Sequence, residues 1–183
     1  MRRTATAITL VIATALASAP PATSTEHVSE ATRILHLTND ARRQAGCKPL
    51  KTNPKINHAA RRHATDLQAH HRYSHTGSDV SDPGDRLQDA GYHWRLAGEN
   101  IFLGPHNAQE AVQGWLASPQ HRANILNCAY RHTGIDVQGP PDHRLWVQDF
   151  ATPSPPRHRS ARDEGRGGRT ADRAGGGPDR ADR

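Results

Sequence analysis

Three polar residues lie beside tight-turn sequences: His75 before Thr-Gly, Glu99 after a glycine and His121 after Ser-Pro. Two imidazoles and one carboxylate form the smallest set that can hold a divalent cation with open coordination positions, or that can pass on a proton. Because the chain has 13 histidines, each of these two could instead be an ordinary hydrogen-bonded surface or core histidine. The three residues form a site only if the fold brings them together.

The first two helices are predicted from their ends and from apolar periodicity. The first covers about residues 29–45 and stops at Gly46. The apolar positions on one of its faces are Ile34, Leu37, Ala41 and Ala45. The second begins with Asn53 as N-cap and Pro54 at the first helical position. Its buried stripe is predicted to be Ile56, Ala59, Ala60, His63, Ala64 and Leu67.

The rest of the domain is predicted as short helices and strands. A third helix opens at Asp82, a fourth at Asn107, and Ser118 can cap a fifth over residues 121–126. The predicted strands cover residues 99–103, 133–138 and 144–151, and the last two form an antiparallel hairpin. Since helices come first and strands last, the pattern predicts an α+β fold.

Both ends of the chain have non-globular composition. Residues 1–17 combine two arginines, a short apolar run and an A-x-A pattern, which indicates a secretory signal peptide with a cut at 17 or within 19–24. The run is short for a membrane anchor, the alternative for this segment. Residues 18–27 are expected to be a linker, residues 28–151 the domain, and residues 152–183 a disordered Arg/Gly/Asp-rich tail. We therefore expect a secreted, extracellular protein without stable membrane insertion after signal cleavage.

The chain has two cysteines, Cys47 and Cys128. In an oxidising compartment, two cysteines with no others in the chain indicate one disulfide bond. Such a bond would stabilise the fold by about 4 kcal/mol in the chain-entropy model. The alternative is that one cysteine is a catalytic nucleophile, but no local cysteine-protease sequence surrounds either residue.

The basic character of the chain is concentrated outside the domain. Residues 18–151 carry 14 Lys/Arg against 13 Asp/Glu, whereas residues 152–183 carry eight Arg against five acidic residues. A nearly neutral domain lacks the basic stripe that follows phosphates along a nucleic acid. Nucleic-acid binding, which would rest on the tail, is therefore not expected.

Short sequence blocks recur in a recognisable order along the domain. They are Asn39 with Arg42, Ala60 with His63, and residues 73–77, 85–87, 91–92, 98–101, 115–126, 134–135 and 146–150. In this order they resemble the CAP superfamily, which includes cysteine-rich secretory proteins, venom antigens, pathogenesis-related proteins and bacterial secreted SCP-like domains. The resemblance spans essentially the whole domain, and it implies an α-β-α sandwich with a small antiparallel sheet and a broad cleft.

In many CAP members two histidines and two glutamates line that cleft and can hold a divalent metal. His75, Glu99 and His121 match three of these four positions. The resemblance thus makes all three cleft or ligand residues, with the two histidines as metal ligands and Zn²⁺ or another divalent cation as the cofactor they could take.

The fourth position of the cleft set departs from the family pattern. Ser118 stands where the second glutamate is expected. The nearest substitute is Glu110, a weak candidate, because a glutamate three residues after Asn107 is explained by a capping box at a helix start. The missing glutamate puts metal affinity in doubt.

The expected function is a secreted, monomeric binding module whose cleft takes a divalent metal, a small or lipid-like ligand, or part of a cell-envelope partner. The alternative is a metal-assisted hydrolase acting on peptide or envelope material, with Glu99 as general base. We favour binding over catalysis because the sequence has no His-Glu-x-x-His, no Gly-x-Ser-x-Gly and no glycine-rich phosphate loop.

Overall fold

Residues 29–155 are described by the structure, a computed structural model. The predicted signal peptide, the linker and nearly all of the predicted tail lie outside the described residues, so these assignments stay predictions. Within the described part, no helix is long and apolar enough to cross a membrane.

Five helices and four strands make up residues 29–155. The helices are α1 (Glu30–Gln44), α2 (Pro54–His70), α3 (Pro83–Asp89), α4 (Ala108–Ala117) and α5 (Pro119–Ile125). The strands are β1 (Lys51–Thr52), β2 (Trp94–Leu103), β3 (His132–Gln138) and β4 (Leu145–Pro153). They form one sheet in the order β1-β3-β4-β2, in which β1 pairs parallel with β3 and the other pairs are antiparallel.

The sheet lies between two layers of helices. Alternate residues of β4 point to opposite faces, so they contact different helices. Val147 packs with the buried alanines of α2, and Ala151 packs with α2 and α3. On the other face, Trp146 and Phe150 pack against α1, α4 and α5. This arrangement confirms the predicted α+β class and the α-β-α sandwich.

The amphipathic stripe of α2 is confirmed residue by residue. All six predicted positions, from Ile56 to Leu67, are buried, and Asn53 caps the helix by accepting a hydrogen bond from the Lys55 N–H at 3.0 Å. At its end, His71 adopts a left-handed conformation. The helix therefore leads directly into the turn that carries His75.

The buried face of α1 differs from the prediction. Ile34 is buried and Leu37 and Ala41 are half-buried and pack against the core, as expected. Ala45 is exposed, and the other buried positions are the polar residues Thr38, Asn39 and Arg42. Asn39 explains part of this, because its side chain accepts from the Leu50 N–H and donates to the Leu50 carbonyl. An apolar period could not reveal a face that hydrogen-bonds to a distant chain segment.

Arg42 joins α1 to the segment that follows α5. Its guanidinium is fully buried and donates to the backbone carbonyls of Lys48, Ile125, Asn127 and Tyr130, at distances of 2.7–3.2 Å. The Ile125 carbonyl belongs to the last residue of α5, where a positive charge also interacts favourably with the helix dipole. One side chain thus fixes the helix that carries His121.

Two strands differ from the prediction. β2 begins at Trp94, five residues before the predicted start, because residues 94–98 pair with residues 150–153 of β4. β1 was not predicted, since its two residues are exposed and show no alternation. Both differences arise from pairing with distant strands.

The predicted cap of α5 is also different. Ser118 is the N-cap residue, but its side chain makes no cap hydrogen bond. The residue is shared by two helices: its N–H bonds to α4 carbonyls, and its own carbonyl accepts from Arg122 at the start of α5. The Ser-Pro pair therefore sets the corner between α4 and α5 through its backbone.

The predicted disulfide between Cys47 and Cys128 is present, with Cα atoms 4.9 Å apart. It joins the end of α1 to the segment after α5 across 81 residues of chain. A loop of this length gives a stabilisation of about 4 kcal/mol in the chain-entropy model. The bond and Arg42 tie together the same two parts of the chain.

Candidate functional site

His75 and Glu99 meet at the edge strand β2. His75 Nδ1 lies 2.7 Å from Glu99 Oε1, and the Glu99 side chain is almost fully buried whereas the His75 side chain is 56% exposed. The bond fixes the ring so that Nδ1 points into the protein, and Nε2 is the nitrogen left for a ligand. This is the predicted pair, brought together as the sequence suggested.

Arg86 of α3 completes the buried side of this pair. Its Nη2 donates to Glu99 Oε2 at 2.8 Å, and both side chains are 1% exposed. The same guanidinium also donates to the carbonyls of His75 and Ser81. Arg86 thereby neutralises the glutamate and holds the loop that presents His75.

The loop between α2 and α3 is also held from α2. His63, which is buried, bonds through Nε2 to the Ser74 carbonyl at 3.0 Å and lies 3.6 Å from Glu99 Oε2. Asp66 accepts from the Ser78 N–H at 2.8 Å and from the Ser78 hydroxyl. The position of His75 is therefore determined by contacts on both sides of its turn.

These contacts move the pKa values of the cluster in opposite directions. Burial alone would raise the pKa of Glu99, but the hydrogen bond from His75 and the charge of Arg86 outweigh it, and the pKa is lowered. The hydrogen bond to Glu99 raises the pKa of His75 above its ordinary value of 6.5, against an opposing effect of burial. Burial lowers the pKa of His63, against the charge of Glu99. The cluster thus favours an ionised Glu99, a readily protonated His75 and a neutral His63.

His121 approaches the same edge from the other layer of helices. It lies in α5, and its backbone carbonyl accepts from Asn100 Nδ2 at 3.1 Å, next to Glu99 on β2. Asn124 of the same helix donates to the Glu99 carbonyl at 3.0 Å. Burial, and then the nearby charge of His75, lower the pKa of His121. The structure therefore brings His121 to the vicinity of His75, although neither ring contacts the other by a hydrogen bond.

The side chains at this edge can supply only part of the ligands that a metal ion needs. Both oxygens of Glu99 are already bonded, to His75 and Arg86, so this glutamate orients a ligand instead of being one. In residues 29–155 no group of three or more His, Cys, Asp or Glu side chains is arranged to hold a metal ion. His75 Nε2 and His121 remain as donors, and a tetrahedral cation would take its other ligands from water or from a bound molecule.

Glu110 lies at the start of α4 and serves that helix. Its N–H bonds to Asn107 Oδ1 at 3.0 Å, and its carboxylate accepts from Asn107 Nδ2 and from the His106 N–H. Among the described residues it has no hydrogen bond to His75, Glu99 or His121. The structure does not bring this weak candidate into the cluster.

Three members of the cluster were not predicted as site residues: Arg86, His63 and Asp149. All three lie in sequence blocks that carried the family resemblance, but none was given a role in the site, and His63 was predicted only as part of the buried stripe of α2. Asp149 is fully buried on β4 and is the cross-strand partner of Glu99. The signal that could have identified it is its spacing: it lies two residues from Val147 and two from Ala151, so a charged residue shares the buried face of the strand with apolar ones.

Comparison with known proteins agrees with the family resemblance and with the fold. The family model described as the cysteine-rich secretory protein family, CAP, matches residues 35–150. The uncharacterised protein YkwD of Bacillus subtilis (strain 168) is 30% identical over 118 residues, which cover 64% of this chain and 45% of YkwD. The chain thus spans less than half of that relative's length.

Solved structures show the same fold. An extracellular protein containing an SCP domain from Bacillus anthracis str. Ames is 30% identical, with a TM-score of 0.62, over 67% of this chain and 40% of that one. An outer surface protein of Borrelia burgdorferi is 17% identical, with a TM-score of 0.64, over 68% of this chain and 93% of that one. From the family match and the shared fold, the chain belongs to the CAP family of cysteine-rich secretory proteins.

Proposed function

We propose that the chain is a secreted CAP-domain binding module, in which His75 and His121 hold a divalent cation together with a small ligand. The observation that carries this proposal is the 2.7 Å bond from His75 to Glu99. It commits Nδ1 of a half-exposed imidazole to a buried carboxylate, as in metal-binding histidines whose second nitrogen bonds to a carboxylate. The extracellular and outer-surface descriptions of the two structural neighbours support secretion.

The ligand would complete the coordination that two imidazoles leave open. Zn²⁺ suits imidazole nitrogen, and it would polarise a carbonyl, carboxylate or phosphate oxygen placed on its open side. Such oxygens occur on lipid head groups and on fragments of the cell envelope. The protein's own contribution is to hold His75 in one ring orientation and to keep Glu99 ionised behind it.

No specific feature of the site supports the alternative of a hydrolase with Glu99 as general base. A general base must reach the proton that it removes, directly or through one water molecule. The Glu99 side chain is 1% exposed, and both of its oxygens are occupied by His75 and Arg86. The geometry favours Glu99 as a positioning carboxylate, and binding as the function.

The metal part of the proposal is tested by calorimetric titration of Zn²⁺ into the full chain at about pH 8, where proton competition for imidazole is small. We expect one equivalent to bind the wild type and binding to be lost in His75→Ala/His121→Ala. The matched control is His70→Ala/His71→Ala, two exposed histidines of the neighbouring helix end, which should bind like the wild type. Similar heats from all three proteins would exclude the proposed cation site.

A further inference from the structure

Asp149 is the most deeply buried acidic side chain near the candidate site. It is fully buried, and neither carboxyl oxygen accepts a hydrogen bond from a donor among residues 29–155. It faces Glu99 across the β2–β4 pair and Gly134 across the β3–β4 pair. Directly opposite residues share one face of a sheet, so the carboxyl groups of Asp149 and Glu99 lie on the same side, beneath α2 and α3.

The charged groups that face Asp149 can be counted from each element packed there. β2 supplies Glu99 and α3 supplies Arg86, and His63 of α2 lies 3.6 Å from the carboxylate of Glu99. β3 supplies no side chain, because a Cβ on Gly134 would lie 2.2 Å from the backbone of α2. With His63 neutral, the described part of the cluster has two carboxyl groups and one permanent cation.

Arg86 is already committed to the other carboxyl group. Its Nη2 bonds to Glu99, and its other Nη bonds go to the His75 and Ser81 carbonyls and to the Ser81 hydroxyl. Its buried Nε makes no hydrogen bond among residues 29–155, so it does not bond to Asp149 either. A second buried carboxylate without a hydrogen-bond donor would cost several kcal/mol. A carboxyl group in this position keeps its proton instead.

We propose that Asp149 is a positioning residue of the site, held as the neutral acid behind Glu99. In this form Glu99 is the one negative charge of the cluster, and its full charge is available to Arg86 and to His75. Burial, the charge of Glu99 and a hydrogen bond with the Glu99 carboxyl group raise the pKa of Asp149 well above its ordinary value of 3.8, against the opposing charge of Arg86, which supports this assignment. An ionised Asp149 would repel Glu99 and weaken its hold on both partners.

This assignment has a definite sign in the dependence of stability on pH. A group whose pKa is raised by folding contributes stability that is full below its unfolded-state pKa, near 3.8 for Asp149. The contribution is lost as the pH rises through the folded-state value. Asp149→Asn removes the ionisation of this side chain and keeps the shape of the neutral acid. The wild type should therefore lose stability relative to this variant as the pH rises.

The first test is carbon-13 NMR of the Asp149 carboxyl group in the metal-free, full-length wild type, from about pH 4 to about pH 9. The variant Asp149→Asn serves to assign the resonance. We expect the shift of a protonated acid at neutral pH, with no ionisation step in the ordinary aspartate range. The shift of a carboxylate at neutral pH would overturn the proposal.

The second test compares unfolding free energies of the wild type, Asp149→Asn and Asp136→Asn over the same pH range. Asp136 is a matched control, because it is a buried aspartate of the same sheet that accepts hydrogen bonds from Arg61 and Gln138. Of the two variants, only Asp149→Asn should become more stable relative to the wild type as the pH rises. A difference in unfolding free energy between the wild type and Asp149→Asn that does not change with pH, or one that shifts in favour of the wild type as the pH rises, would contradict the assignment.

The inference concerns the proposed site but does not depend on the proposed ligand. Both measurements are made without metal, so they can succeed whether or not Zn²⁺ binds. The His75 pKa reports the charge of Asp149 independently of stability: if Asp149 is neutral in the wild type, the His75 pKa should stay within about 0.3 units in Asp149→Asn. A fall of about one unit would mean that a negative charge had been removed and that Asp149 is ionised in the wild type.

Discussion

Arg86→Met is expected to lower the free energy of unfolding by about 3–5 kcal/mol, because it leaves the buried carboxylate of Glu99 without its cation. The two side chains are 1% exposed and 2.8 Å apart, so solvent cannot replace the lost partner. The change also removes the hydrogen bonds to the carbonyls of His75 and Ser81. Urea unfolding at neutral pH measures the effect.

A double-mutant cycle separates this charge effect from lost packing. In Arg86→Met/Glu99→Gln the uncompensated charge is gone, so the double variant should lose less stability than the two single variants added together. The matched control is Arg95→Met, an exposed arginine of β2, for which a change within about 0.5 kcal/mol is expected. Additive losses would show that Arg86 and Glu99 do not act as a pair.

Arg42→Met is expected to have an effect of similar size, about 3–5 kcal/mol, for a different reason. The guanidinium has no carboxylate partner among the described residues and is held by four backbone carbonyls. Its removal leaves these acceptors unpaired, and each buried unsatisfied group costs about 1–3 kcal/mol, less where water can enter. Arg42→Lys should recover part of the loss, since one ammonium cannot span all four carbonyls.

The neighbouring residue provides the control for Arg42. Arg43 is exposed and, within residues 29–155, its one ion pair is with Asp40 one turn away, so Arg43→Met should change the stability by less than about 1 kcal/mol. Chemical denaturation of the three variants beside the wild type gives the comparison. Equal effects at positions 42 and 43 would mean that the carbonyl network contributes little to the fold.

The parts of the fold that the sequence predicted correctly are those in which each residue acts through its own helix or hairpin. The α2 stripe from Ile56 to Leu67 is an apolar period of 3.6 residues, and the Asn53-Pro54 start is a local cap. The hairpin of β3 and β4 likewise follows from two runs of chain joined by a Pro-rich loop. Local patterns were sufficient for these elements.

The parts that were missed depend on partners far away in sequence. The apolar positions of α1 were mostly predicted correctly, but the polar part of its buried face was not: Arg42 is buried because carbonyls 83–88 residues along the chain accept its hydrogen bonds. The first half of β2 exists because β4 runs beside it. Neither partner can be read from the residues around positions 42 or 94.

The candidate site was half predictable for the same reason. His75, Glu99 and His121 were identified from turns and from the family resemblance, and the structure brings His75 and Glu99 into contact. The buried side of the site was not identified, because the pairing of Asp149 with Glu99 requires the register of β2 against β4. Burial of acidic and basic groups together is visible only once the sheet is formed.

The central claim is that Glu99 acts as a buried carboxylate that orients His75 and holds a proton on its Nδ1. The measurement that tests it most directly is nitrogen-15 NMR of the His75 ring in the metal-free wild type across the pH range of imidazole. We expect a pKa above the ordinary 6.5 and, once the ring is neutral, a proton that stays on Nδ1 and leaves Nε2 free. A pKa at or below that value, with the proton on Nε2, would contradict the account.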